Sequence, residues 1–178
     1  MNFGHPILTQ IQGWIPAGLT GPVAAYMAAI VVALWLIKQM RGSIWLLSLV
    51  VLPGTICHEL SHFLVGHLLH GQPRGFSVWS RRVAGGYLLG SVSIGNPRWY
   101  NVFFIGLAPL LLLPLAFVGL RWRLDHHPVF NAWEAGAVFL LANLVYASIP
   151  SWQDLRVAAR SPIGWTLLVA GIAWIAFR

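Results

Sequence analysis

Charge is what this chain most lacks. Four acidic and eleven basic residues make up only 8% of its 178 positions, against about 25% in an average globular chain. With 58% of the residues apolar, a soluble core of this size could not hide its own hydrophobic surface, which excludes a soluble domain. Cysteine is nearly absent as well. Cys57 is the only one, so neither an intrachain disulfide nor a Cys-rich zinc knuckle can form. It stands beside His58 but at the wrong helical angle to share a face with His58 and His62, and it is expected to be a small packing residue. There is no basic n-region or small-residue cleavage signal at the start, so no removed signal peptide is expected. Internal repeats and low-complexity segments are missing too, which points to one domain over residues 1–178. The net charge of +7 is spread between apolar windows. There, Lys and Arg suit anionic lipid headgroups, and nucleic acid is not an expected partner.

What the chain has instead is long apolar runs. They predict an all-α integral membrane protein of about five transmembrane helices, over residues 22–37, 43–70, 102–120, 132–149 and 162–177. Residues 1–21 hold Pro6, Pro16 and four glycines, too broken to span, and are expected to form an interfacial or re-entrant segment. Residues 71–101 are the one long polar stretch. Phe76 to Trp79 and Ser91 to Ile94 carry strand formers, so a small β-hairpin is expected between the second and third helices, with an edge that could accept an extended peptide.

Within the second run stands His58-Glu59-Leu60-Ser61-His62. On a helix, residues four apart share a face, so His58 and His62 can offer two imidazole nitrogens to one metal ion, with Glu59 about a quarter-turn away. Zinc in a hydrolytic site takes three protein ligands and keeps a position for water, whose proton Glu59 would accept. An ionisable side chain inside a bilayer is costly, and such residues mark functional sites. As one straight helix, residues 43–70 would be about 42 Å long, with His58 about 22 Å from the start. Pro53-Gly54 is expected to kink the helix one turn before the motif.

A third ligand follows from counting crossings. The motif helix and the helix ending at Ile149 run in the same direction, so Asp154 emerges on the motif's side. Glu134, Asp125, His126 and His127 fall on the other. His67 and His70 lie about 180° and 120° around the helix from His58, and residue 68, where a third histidine of the metzincin pattern would stand, is Leu. Asp154 remains, although Ser151-x-x-Asp154 also has the form of a helix cap. The two roles are compatible. Asn143, in the middle of its apolar run, is a candidate for holding a substrate backbone or for tethering a helix, and Asn101 for capping the helix after it.

On these features the chain resembles the site-2 protease family of membrane-embedded zinc metalloproteases, over residues 43–160. The likeness rests on His58-Glu59-Leu60-Ser61-His62 in a membrane helix and on the Gly-rich segment with hairpin character that follows. It rests further on Gly106-Leu107-Ala108-Pro109, and on a third helix with Asn143 and Pro150-x-x-x-Asp154. The family pattern sets its Asn segment close before Leu-Asp-Gly. Here Asn143 stands eleven residues ahead of Asp154, and Trp152-Gln153 precede it. No PDZ-like insertion is present. The resemblance implies Zn2+ held by His58, His62 and Asp154, Glu59 as catalytic base, and a site toward the cytoplasmic side of the cell membrane.

The expected function is a zinc-dependent intramembrane endopeptidase acting on membrane-protein substrates. Selection would come from the membrane core, the 71–101 segment or a regulatory membrane partner. Two other classes are weighed against it. A catalytically inactive scaffold or chaperone would not need Glu59. A metal transporter would need further ligands along a path across the bilayer, and the helices offer few.

Overall fold

The computed structural model describes residues 21–83, 86–126 and 132–177. The segment expected over residues 1–21 lies outside them except for Gly21, as does His127. Helix α1 (Gly21–Gln39) is an uninterrupted apolar run closed by Lys38 and a 3-10 turn at Met40–Gly42. Helices α2 (Ile44–Val50) and α3 (Leu52–Leu68) follow. They make two rods at 68° where one helix over 43–70 is expected. Pro53 is the cause, because it has no N–H for the Leu49 carbonyl and its ring collides with that carbonyl in a continuous helix. It sits instead in the first turn of α3, where it is tolerated.

Two antiparallel pairs come next, one nested in the other. β1 (Pro73–Ser77) pairs with β4 (Ser91–Ile94), Pro73 opposite Ile94, and β2 (Arg81–Val83) pairs with β3 (Gly86–Leu88). A bulge interrupts β1 between Arg74 and Phe76, and Gly75 there takes a φ of 65°. A side chain would be strained in that conformation. The expected hairpin is therefore present, with a second ladder inside it.

The expected helix over 102–120 divides into α4 (Val102–Gly106), a 3-10 turn (Ala108–Leu111) and α5 (Leu112–Asp125). Pro109 ends the first segment, and Pro114 falls in the first turn of the last. Asn101 does not cap α4 through its side chain. It is fully buried and ties the preceding loop, accepting from Arg98 N–H at 2.7 Å and donating to the Asn96 carbonyl at 3.1 Å. Helix α6 (Ala132–Ala147) meets α7 (Trp152–Ala158) at 47° across Pro150, and α8 (Pro162–Ala176) closes the described chain.

The count of five crossings is accordingly corrected. Among the described residues one helix is long and apolar enough to cross a membrane by itself, and up to three are if each bent pair, α2–α3 and α6–α7, forms one span. Prolines placed to open the backbone also shorten the helices.

Helix α6 is the centre of the packing, with α1, α3 and α5 against it. Tyr26 and Ile30 from α1, Ala116 from α5, and Leu141 and Ala142 from α6 form one buried cluster. Ile37, Leu47 and Val51 form a second, on which Tyr146 and Leu89 pack. Val31, Trp35, Leu49, Leu111, Val118 and Ile172 face outward, so the helices are apolar on both sides.

One buried ion pair joins α5 to α6. Arg123 donates to both carboxylate oxygens of Glu134, from Nε at 3.1 Å and from Nη2, and Glu134 is 2% exposed. Removing one partner of such a pair leaves the other charge uncompensated. Glu134→Ala is expected to cost about 3 kcal/mol of stability and to lower the thermal midpoint in detergent while leaving metal affinity unchanged.

Candidate metal centre

Two helices supply the three donors. His58 and His62 lie one turn apart on α3, and Asp154 is the third residue of α7. His58 Nε2 is 3.3 Å from Asp154 Oδ2, His62 Nε2 is 3.2 Å from Asp154 Oδ1, and the two Nε2 atoms are 3.3 Å apart. An ion bound tetrahedrally at about 2.0–2.1 Å from each donor requires donor separations of about 3.3–3.4 Å. The three donors have that spacing.

The other ring nitrogens fix the direction of these donors. His58 Nδ1 lies 2.7 Å from the Ala147 carbonyl and His62 Nδ1 2.7 Å from the Ile105 carbonyl. A carbonyl only accepts, so each Nδ1 carries a proton, and the neutral form of each ring presents its Nε2 lone pair to the cluster. With both rings neutral, two lone pairs and a carboxylate converge, an arrangement that a cation resolves. Carbonyl-oriented imidazoles of this kind surround metals.

Both carbonyls lack the helical donor four residues on, for local reasons. The helical donor for the Ile105 carbonyl would be the N–H of residue 109, which is proline and has none. The donor for Ala147 would be Ser151 N–H, which is given to Asp154 Oδ2 at 2.7 Å. That bond belongs to a capping box, because Asp154 N–H in turn donates to Ser151 Oγ at 3.2 Å. Asp154 therefore serves as helix cap and as donor in the cluster together. His67, His70, Asp125 and Glu134 take no part in it. Among the described residues, His58, His62 and Asp154 form the group able to hold a metal ion.

Glu59 points into the same cavity of about 430 Å³. It is 7% exposed and makes no hydrogen bond among the described residues. Gly90, between β3 and β4, covers it so closely that a Cβ there would lie 2.6 Å from Glu59 Oε1. Ser91, Val92 and Ile94 of β4 also line the cavity, and β1 is the only strand paired with β4 among the described residues.

Asn143 is elsewhere. Its Oδ1 accepts from Gly54 N–H at 3.3 Å and its Nδ2 donates to the Phe139 carbonyl at 3.1 Å. Of the two roles expected for it, the structure assigns the helix tether, α6 to α3, and places it outside the residues lining the cavity. Asn143→Ala is expected to lower stability by about 1–3 kcal/mol, the cost of a buried donor left unpaired, read as a fall in thermal midpoint with the affinity of the three-donor group for metal unchanged.

Arg41, in the turn before α2, also lines the cavity. A straight helix would hold that turn about 22 Å from His58, whereas the bend before α3 shortens the distance. The freed carbonyls were missed as well. Pro109, four residues after Ile105, was the signal for one of them.

Comparison of the chain with protein-family models, with curated proteins and with solved structures finds no match.

Proposed function

We propose that this protein is a zinc-dependent intramembrane endopeptidase of the site-2 protease type, hydrolysing peptide bonds of membrane-protein substrates. The observation that carries the reading is the convergence of His58, His62 and Asp154 at tetrahedral spacing beside an unpaired glutamate. A scaffold would need the three donors at most. Glu59 adds a base, buried and aimed into the cavity they line.

The donor set of two imidazoles and a carboxylate fits zinc. Zinc held there would polarise the scissile carbonyl and bring the pKa of a water toward about 7. Glu59 would accept the proton of such a water and return it to the leaving amine. Donation of Nδ1–H to the Ala147 and Ile105 carbonyls makes Nε2 the ligating nitrogen of each ring and raises its basicity. β4 offers main-chain groups along the cavity, so a substrate helix that unwinds locally can extend against it as an added strand. Apolar outward faces and the long apolar α1 support a place in the bilayer; the cell membrane, with the site toward the cytoplasm, is what the family resemblance implies.

The test compares protein N-termini in membranes from cells making the wild type or Glu59→Gln. New termini within or beside transmembrane segments, present only with the wild type, are expected. Identical sets of termini would favour the inactive scaffold.

A further inference from the structure

Helix α4 touches the metal centre twice through consecutive residues. The Ile105 carbonyl orients His62, and Gly106, next in the chain, lies against the backbone of the third donor. A Cβ at Gly106 would be 2.7 Å from the Asp154 carbonyl oxygen and 3.0 Å from both N and Cβ of Ala158. Two of these are backbone atoms, which no change of rotamer can move. Given the metal-centre reading above, on which this rests, we propose that Gly106 is a positioning residue that sets how far the Asp154 carboxylate reaches toward His58 and His62.

The physical argument is one of distance. A methyl group at residue 106 would drive α7 outward by roughly 0.5–1 Å before van der Waals contact was restored. Metal-ligand distances tolerate about 0.2 Å. The Asp154 carboxylate would then fall short, although its capping box with Ser151 moves with the helix and stays intact. Nothing in the chemistry of Gly106 itself is required. Its lack of a side chain lets α4 and α7 approach closely enough for a short carboxylate to bridge to two histidines on α3.

The experiment measures Zn2+ affinity of the full chain in detergent against a competing chelator, with no substrate needed. Gly106→Ala is expected to bind zinc about 10–100-fold more weakly, the range typical of residues supporting metal ligands. Asp154→Glu adds one methylene and still caps α7. It should weaken binding in the wild-type background, where it overreaches, and recover at least about tenfold in the Gly106→Ala background, a non-additivity that marks coupled residues. A merely structural role would not produce that rescue. Gly136→Ala, where a Cβ meets nothing within 4 Å, should equal the wild type. If Gly106→Ala does not fold, Gly106→Ala with Ala158→Gly removes the methyl contact, keeps the contact with the Asp154 oxygen, and takes its place. Wild-type affinity in Gly106→Ala, or no rescue by Asp154→Glu, overturns the proposal while the zinc site stands. A wild type that binds no zinc overturns the metal reading itself, and this proposal with it.

Discussion

Glu59→Gln should reduce cleavage by about 10²–10⁴-fold, the usual contribution of a positioned general base, and still carry about one zinc per chain. The side chain keeps its volume, so its contact with Gly90 and its burial are preserved. It loses only the ability to take a proton. Glu59 is not among the three converging donors, so the affinity for metal is expected to hold. The rate is to be measured under single-turnover conditions on a polypeptide recovered with the Glu59→Gln variant, which should retain uncut substrate, and zinc by elemental analysis of the same preparation. A variant within about tenfold of the wild type would move the base elsewhere. A variant that loses zinc would show that Glu59 supports the site rather than the reaction.

Zinc content should separate the two roles of Asp154. Asp154→Ala and His58→Ala each delete one of three donors, and affinity should fall by more than about 100-fold, beyond the range for supporting residues. Zinc should then be absent from purified protein. Ser151→Ala removes only the cap. It should cost about 0.5–2 kcal/mol of helix stability and retain about one zinc per chain, because Asp154 Oδ1 faces His62 without help from Ser151. Zinc retained by Asp154→Ala would put the third donor elsewhere and leave the carboxylate as a cap. Zinc lost in Ser151→Ala would mean that the Asp154 N–H bond to Ser151 Oγ, by fixing the first turn of α7, aims the carboxylate.

How much of the site could be read from the residues differed from one group to the next. His58, Glu59 and His62 were legible because helical periodicity alone places positions four apart on one face, and no tertiary contact is needed to know it. Asp154 was reached by elimination, since the chain has so few acids that each could be assigned to a side. Asn143 was ambiguous in the sequence because an amide serves substrate and helix equally well. Only its bond to Gly54 N–H distinguishes them. Fewer uninterrupted spans than the five expected are found among the described residues, for a reason also present in the sequence. Hydropathy averages over a window and does not register Pro53, Pro109 and Pro150, each of which interrupts a helix without making it less apolar.

By itself the sequence determined the apolar, mainly helical character of the chain, the hairpin over residues 71–101 and the paired histidines with their glutamate. These depend on composition and on periodicities of two and four residues, which are local. Tertiary structure decided the rest: that Asp154 stands about 3.2–3.3 Å from both imidazoles, that the Ile105 and Ala147 carbonyls set their tautomers, and that Arg41 reaches the cavity. Those facts depend on how closely helices approach. Backbone contacts at Gly54 and Gly106 fix that approach, between residues 89 and 48 positions apart, and no periodicity along the chain encodes such a distance.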